Sequence, residues 1–292
     1  MLTDIIFNYL RVFHSVARHL SYSKAGEELN LSQPAVSRQI SSLEKGLGLD
    51  LFTQRGRKVV LTDAGRSLYD YADRIMGLAQ QAGRTLAQYH DLERGEVRLG
   101  VSPVLGCYLL PSILKEFYTR FPNIKVSLQL DSGQKLIKRI EDGKLDLALV
   151  VGPLESDRIH LERYTQDALV LVCPPGEDSP MFNEIFINYP LITREKPSST
   201  RITIEDHLAK YDIRPKLIME IPDNEVIKRL VITGIGVAFL PKRAVETELV
   251  SGALQVVKGE GTALTRWVYL VTAKDQHHCP TLLAFMNFMR KY

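Results

Sequence analysis

Ser32–Gly48 reads SQPAVSRQISSLEKGLG. Ser32 is a strong helix N-cap, and Pro34 falls in the first turn, where its missing N–H costs nothing. At 100° per residue, Val36, Ile40, Leu43 and Leu47 fall within about 60° of one another and form a buried stripe. Pro34, Ser37, Arg38, Ser41, Ser42 and Lys45 occupy the other side, with Gln33 at its N-terminal edge. Surface helices usually carry long charged side chains there. This one offers hydroxyls, one guanidinium and one late cation, a face that lets a helix backbone come close to a partner. Forked side chains such as arginine and glutamine match the major-groove edges of guanine and adenine.

Leu10, Phe13, Ala17 and Leu20 recur at helical spacing upstream. Ser21 or Ser23 caps a second helix carrying Ala25, Glu28 and Leu29, and Asn30-Leu31 makes a tight turn into the third. Gly26 costs its helix roughly 1 kcal/mol against alanine, which implies close approach of another helix. Two helices joined by a short turn are a helix-turn-helix, whose second helix enters the major groove. Downstream, Leu51-Phe52 and Val59-Val60-Leu61 flank QRGRK (54–58), a β-hairpin with a cationic tip. Arg55, Arg57 and Lys58 are thereby placed to meet phosphates. The DNA-binding candidates are Ser32, Gln33, Pro34, Ser37, Arg38, Ser41, Arg55, Arg57 and Lys58.

The run SYSKAGEELNLSQPAVSRQISSLEKGLGLDLFTQRGRKVVLTDAG resembles the winged helix-turn-helix of LysR-type transcriptional regulators, closely over residues 5–90, with the rest agreeing in length and layout. The resemblance implies that Gln33, Pro34, Ser37 and Arg38 approach the bases and that the wing touches the backbone. Family members usually have arginine two residues after the Leu-Phe pair. Here that place is Gln54 and Arg55 follows, so the wing contact is expected to be shifted by one residue or weaker.

After the capping pair Thr62-Asp63, a helical pattern runs to about residue 91. Leu68, Ile75, Ala82 and Tyr89 are seven apart, and so are Ala72, Ala79 and Leu86. These are heptad positions with alanines that allow close approach, so the predicted dimerisation face is Leu68, Ala72, Ile75, Ala79, Ala82 and Leu86. The alternative is a long helix lying on its own domain. A two-fold dimer matches a palindromic operator on double-stranded DNA. The resemblance supports a dimerising linker and suggests tetramers.

From Glu96 the pattern alternates strand and helix: VRLGVS (97–102), LLPSILKEFYTRF (109–121), NIKVSLQL (123–130), LIKRIEDGKL and DLALVV (146–151), which predicts a parallel sheet with helices on both faces. A second such unit runs from about 164 to 266, with ALVLVCPP, PLIT, a helix from Ile202, KLIMEI, NEVIKRLVITG and VAFLP. WVYLVTA (267–273) and a last helix from Pro280 return to the first unit. Ligands bind outside the carboxyl ends of such strands. Those ends carry Ser102-Pro103, Ser132-Gly133-Gln134 and Pro197-Ser198-Ser199-Thr200-Arg201. Hydroxyls and helix N-termini suit an anion, which Arg201 would complete and Gly236 would admit. The effector candidates are therefore Ser102, Pro103, Ser132, Gly133, Ser199, Thr200, Arg201 and Gly236; taken singly, each serine reads equally well as a plain helix cap. This half resembles the family's effector domain, itself similar to periplasmic binding proteins, and the family implies a small, often carboxylate-bearing inducer between two lobes.

The expected organisation is a winged helix-turn-helix DNA-binding domain (1–62), a linker helix (63–92) and an α/β effector-binding domain (96–292), with lobe I 96–163 plus 267–292 and lobe II 164–266. At 292 residues the chain is long for one core. A hydrophobic share of 45% with 24% charged residues fits an ordinary globular protein, and a net charge of +3 does not by itself announce nucleic acid. No apolar run approaches a membrane span and MLTDIIFNYLRVF lacks signal-peptide features, so a cytoplasmic location and no membrane partner are expected. Cys107, Cys173 and Cys279 suggest reduced buried thiols, with a redox role for Cys107 the lesser alternative. No nucleophile, phosphate-cradle or zinc motif is present, and His277-His278-Cys279 makes a poor metal site because adjacent residues point apart. No catalytic residue, metal or cofactor is expected. The expected protein is a transcriptional regulator, dimeric or tetrameric, switched by a small-molecule effector, with RNA polymerase a candidate partner. A binding protein without a DNA role would have no use for the first sixty residues. An enzyme would need a base beside Ser102, Ser132 or Thr200, and none is visible.

Overall fold

The computed structural model describes residues 7–56, 58–90, 95–176, 181–276 and 278–292. Arg57 and His277 lie outside the described residues. The chain forms two compact units: Met1–Leu86 with Asp142–Lys144, and Ala87–Glu141 with Leu145–Tyr292.

In the first unit, α1 (Phe7–His19), α2 (Tyr22–Leu29) and α3 (Gln33–Leu47) precede a hairpin of β1 (Phe52–Arg55) and β2 (Lys58–Leu61) and the long α4 (Asp63–His90). Ser21, not Ser23, caps α2 and accepts from the Lys24 N–H; Ser32 caps α3 and accepts from Ala35. Asn30 and Gly48 close these helices in the left-handed region, at φ 54° and 68°. Phe13, Val16, Val36, Ile40, Leu43 and Leu51 form the core, so the predicted stripe of α3 faces inward. Leu20 departs from expectation: it lies just past the end of α1 at φ 47° and is exposed. Gly26 is also explained differently. A Cβ there would stand 2.6 Å from the Leu31 carbonyl oxygen, so the close neighbour is the turn into α3, not another helix.

The heptad reading of α4 needs correction. Ala72 is fully buried and, with Leu68 and Met76, packs into the core of its own winged unit. The outward apolar residues are Tyr71, Ile75, Leu78 and Leu86, with Ala79 and Ala82 also exposed. From Met76 to Leu78 the apolar arc spans about 160° at 100° per residue; one edge serves the domain and the other is outward. The side chain of Tyr89 is not among those described.

The second unit opens with β3 (Glu96–Val101), α5 (Pro103–Tyr108), α6 (Leu110–Arg120), β4 (Lys125–Leu130), α7 (Gly133–Glu141) and β5 (Leu147–Val151). β6 (Ile159–Cys173), α8 (Phe182–Asn188), β7 (Leu191–Arg194), α9 (Ser199–Ala209), β8 (Leu217–Ile221) and α10 (Asn224–Ile232) follow. β9 (Ala238–Pro241), α11 (Lys242–Ser251), β10 (Gln255–Val256), β11 (Ala263–Ala273) and α12 (Pro280–Lys291) complete it. The predicted helix at 109–121 is preceded by the separate α5, and α9 begins three residues before Ile202. The sheet is mixed, not parallel: β3 pairs in parallel with β4 and β5, while β11 runs antiparallel to β5 and β6. β6 and β11 are single long strands paired from Ala263↔Val170 to Ala273↔Ile159, with one shift of register between Val268 and Tyr269. They cross from one lobe's core to the other's. Leu99, Leu110, Phe117 and Phe285 share one core, and Leu171, Phe182, Ile204 and Phe239 another. The predicted boundaries at 163/164 and 266/267 therefore fall inside continuous strands.

Candidate functional site

On α3, Gln33, Pro34, Arg38, Ser41, Ser42 and Lys45 are exposed and Ser37 is half-buried. The Ser32 hydroxyl is committed to the cap, which leaves it less free than its neighbours to reach a base. Neighbouring Gln39 accepts from the Asn8 side-chain amide at 3.3 Å. The wing is a four-residue antiparallel ladder in which Arg55 faces Lys58 across the tip, both exposed. Gly56 at φ 63° makes the turn that an L side chain rarely adopts. Gln54 is exposed one position back along β1.

In the second unit, Ser102, Pro103, Ser132, Gly133, Ser199 and Thr200 line one narrow cleft of about 70 Å³. They come from the carboxyl ends of β3, β4 and β7, as the strand-end rule expects. Ser102 and Ser198 are the N-caps of α5 and α9, yet neither makes a side-chain capping bond, so the plain-cap reading leaves both hydroxyls without an explanation. Pro153 and Leu154 supply apolar wall, and Gln134 and Asn224 add amides.

Two predicted members are absent from the cleft. The Arg201 side chain is buried and turned away, 2.7 Å from Glu205 and 2.6 Å from Glu220. It also donates to the Arg194 carbonyl at 3.2 Å, so it fixes the loop rather than the ligand. Gly236 is buried behind β7, where a Cβ would stand 2.5 Å from the Pro190 carbonyl oxygen; strand packing, not ligand approach, requires glycine.

The guanidinium in the cleft wall is Arg194, the last residue of β7. It is held by its chain neighbour Glu195 in a two-pronged pair, Nε to Oε2 at 2.9 Å and Nη2 to Oε1 at 3.1 Å. Burial pushes the Glu195 pKa up, but the bonds from Arg194 win and hold it below the usual carboxylate range. Behind the wall lies Arg266 of β11, paired in register with Asp167 of β6 and 2.9 Å from it through Nε. Arg266 Nη1 donates to the Thr200 hydroxyl at 2.6 Å. Since that oxygen already accepts, the Thr200 proton is free to be donated elsewhere, and the residue faces the cleft as a donor. Burial pushes the Arg266 pKa down, opposed by Asp167. Arg194 was within reach of sequence reasoning, because it directly follows the predicted strand PLIT at its carboxyl end.

Cys107 is exposed, against the expectation of a buried thiol, while Cys173 and Cys279 are buried. Among the described residues no group of three or more His, Cys, Asp or Glu is placed to hold a metal, and no helix is long and apolar enough to cross a membrane.

A helix-turn-helix with a wing, carried on the same chain as a two-lobed domain with a polar cleft, defines a ligand-responsive DNA-binding regulator. Residues 7–66 match the bacterial regulatory helix-turn-helix protein, lysR family, and residues 90–292 match the LysR substrate binding domain. The chain belongs to the LysR family of transcriptional regulators. It is 31% identical over 282 residues to the HTH-type transcriptional activator CmpR of Synechocystis sp., which covers 95% of this chain and 92% of that protein. It is 32% identical over 286 residues to the RuBisCO operon transcriptional regulator of Allochromatium vinosum, at 96% and 94% coverage. Among solved structures, full-length CbnR complexed with target DNA has a TM-score of 0.72 at 20% identity, covering 98% of this chain and 99% of that one. Full-length OxyR from Pseudomonas aeruginosa has a TM-score of 0.70 at 19% identity, at 98% and 95% coverage. These likenesses carry the fold.

Proposed function

We propose that this regulator responds to a small oxyanionic effector, a carboxylate or phosphate compound, bound in the cleft of the second unit. The observation that carries this reading is the meeting of Ser102, Ser132, Ser199 and Thr200 with the Arg194 guanidinium around one narrow space. The N-termini of α7, α9 and α10 border the same space through Gly133, Ser199 and Asn224 and add partial positive charge. The carboxylate in that wall, Glu195, is engaged by Arg194 and not by a hydroxyl; the groups present bind and orient, which supports a receptor over an enzyme. The effector would act by binding one lobe arrangement better than another, since equal binding to both shifts nothing. A thermal-shift screen of small carboxylates and phosphates against the full chain tests the reading. Hits are expected among anions, with the shift lost in Thr200→Val; stabilisation by neutral sugars and not by anions would overturn it.

The protein is further proposed to act as a homodimer, and as a dimer of dimers, on a palindromic operator in the cytoplasm, contacting RNA polymerase there. What supports self-association is the stripe Tyr71, Ile75, Leu78 and Leu86. Four large apolar side chains in line on one helix seek a partner surface. Ile75→Asp with Leu78→Asp is expected to yield monomers in light scattering with the melting temperature little changed. Ala72→Asp, which places a charge in the winged core, is expected to lower the melting temperature instead.

A further inference from the structure

Arg194 and Glu195 are adjacent in the chain, yet their side chains meet fork to fork across two hydrogen bonds. Both line the cleft. Neighbouring residues of an extended segment point apart by default, so this pair forms against the local geometry, and the carboxylate sits where an oxyanion ligand would meet the guanidinium. The second arginine of the region is treated differently. Arg266 is neutralised by Asp167, whose side chain is 2% exposed and sealed between strands. Glu195 has a side chain 35% exposed and can swing into water at little cost, while Arg194 at 16% remains in the wall. The Arg194 backbone cannot follow, because its carbonyl is held by Arg201. One counter-ion is thus fixed and the other releasable.

We propose that Glu195 is a built-in competitor for the effector: its carboxylate holds the Arg194 fork until an oxyanion ligand displaces it. This rests on the reading of the cleft as an oxyanion site and adds a determinant of specificity to it. A neutral compound of the same shape offers nothing to replace the lost ion pair and leaves Arg194 with Glu195. A carboxylate or phosphate replaces both bonds of the fork and accepts a further bond from Thr200, while Glu195 moves to solvent. The displaced carboxylate sets a threshold, so the protein answers to higher effector concentrations than the cleft alone would.

The test uses the full chain and its single tryptophan. Trp267 adjoins Arg266, and its carbonyl accepts the Gly152 N–H at 3.1 Å, one residue before cleft-lining Pro153, so its fluorescence reports on the cleft. Inorganic phosphate and acetate are titrated in parallel, with acetamide as the neutral control. Glu195→Gln is expected to bind the anions about fivefold more tightly and acetamide no better. In an Arg194→Gln background, adding Glu195→Gln is expected to change anion binding less than twofold, because the competitor has nothing left to compete for. Phosphate responding more than acetate would assign a phosphorylated effector, and the reverse a carboxylic acid. An equal gain from Glu195→Gln in both backgrounds would mean long-range charge alone and overturns the proposal. So does binding that Arg194→Gln leaves intact, although the oxyanion reading would then survive on the hydroxyls. A wild-type protein that responds to neither anion overturns both.

Discussion

Arg38→Ala is expected to abolish discrimination at one base pair of each half-site and to weaken operator binding by about 1–3 kcal/mol for each arginine removed. The side chain stands exposed on the outer face of α3, with exposed Ser41 and Ser42 one turn on. A guanidinium there reaches a guanine edge with two donors at once, which neither lysine nor glutamine reproduces. In a symmetric dimer the loss is counted twice, so retardation of an operator fragment should fall at least tenfold. Arg55→Ala makes the contrasting case. A wing arginine beside phosphate reads no sequence, so its loss should weaken specific and non-specific binding alike and reduce the salt slope by about 0.9 for each contact. Fluorescence anisotropy on an operator selected from a randomised library, repeated at several salt concentrations, separates the two. Arg38→Ala that binds and discriminates like the wild type would remove α3 from the groove.

That α3 could be read from sequence at all follows from the locality of its signals. Ser32, Pro34 and the Val36–Leu47 stripe are a cap, a first-turn proline and a period, all settled within one helix. The cleft serines were legible for a related reason, since strand ends in α/β sheets gather where ligands bind. Arg201 shows where that reasoning stops. Successive residues on a helix project 100° apart, so a Thr200 turned to the cleft carries Arg201 away from it, toward Glu205 one turn on and Glu220 of β8. The sequence placed an arginine in the right loop without saying which. Arg266 was illegible because its partners, Asp167 and Thr200, lie 99 and 66 residues away. The α4 seam failed through excess of signal: its apolar arc is wide enough for two surfaces, and periodicity does not say that Ala72 serves the winged core while Ile75 faces out.

Asp167→Ala should destabilise the second unit more than any cleft substitution. Asp167 and Arg266 are 2% and 3% exposed at their side chains, and each is the other's counter-ion. Removing the carboxylate strands a guanidinium in a dry interior, which costs about 3–5 kcal/mol. For a unit of this size, with about 2–4 °C lost per kcal/mol, the melting temperature should drop by about 6–20 °C. The pair itself is a different matter. Desolvating two charges consumes most of their attraction, so the double replacement Asp167→Leu with Arg266→Met should melt close to the wild type. If the ion pair were there for stability, the double variant would fall with the single one. If it is there to aim Thr200, the double variant should fold well and yet answer poorly to anions, because the hydroxyl has lost the donor that turns its proton toward the cleft. Calorimetry and the tryptophan titration, run on the same two proteins, decide between these roles. A well-folded double variant with undiminished anion affinity would leave the buried arginine without a part in recognition.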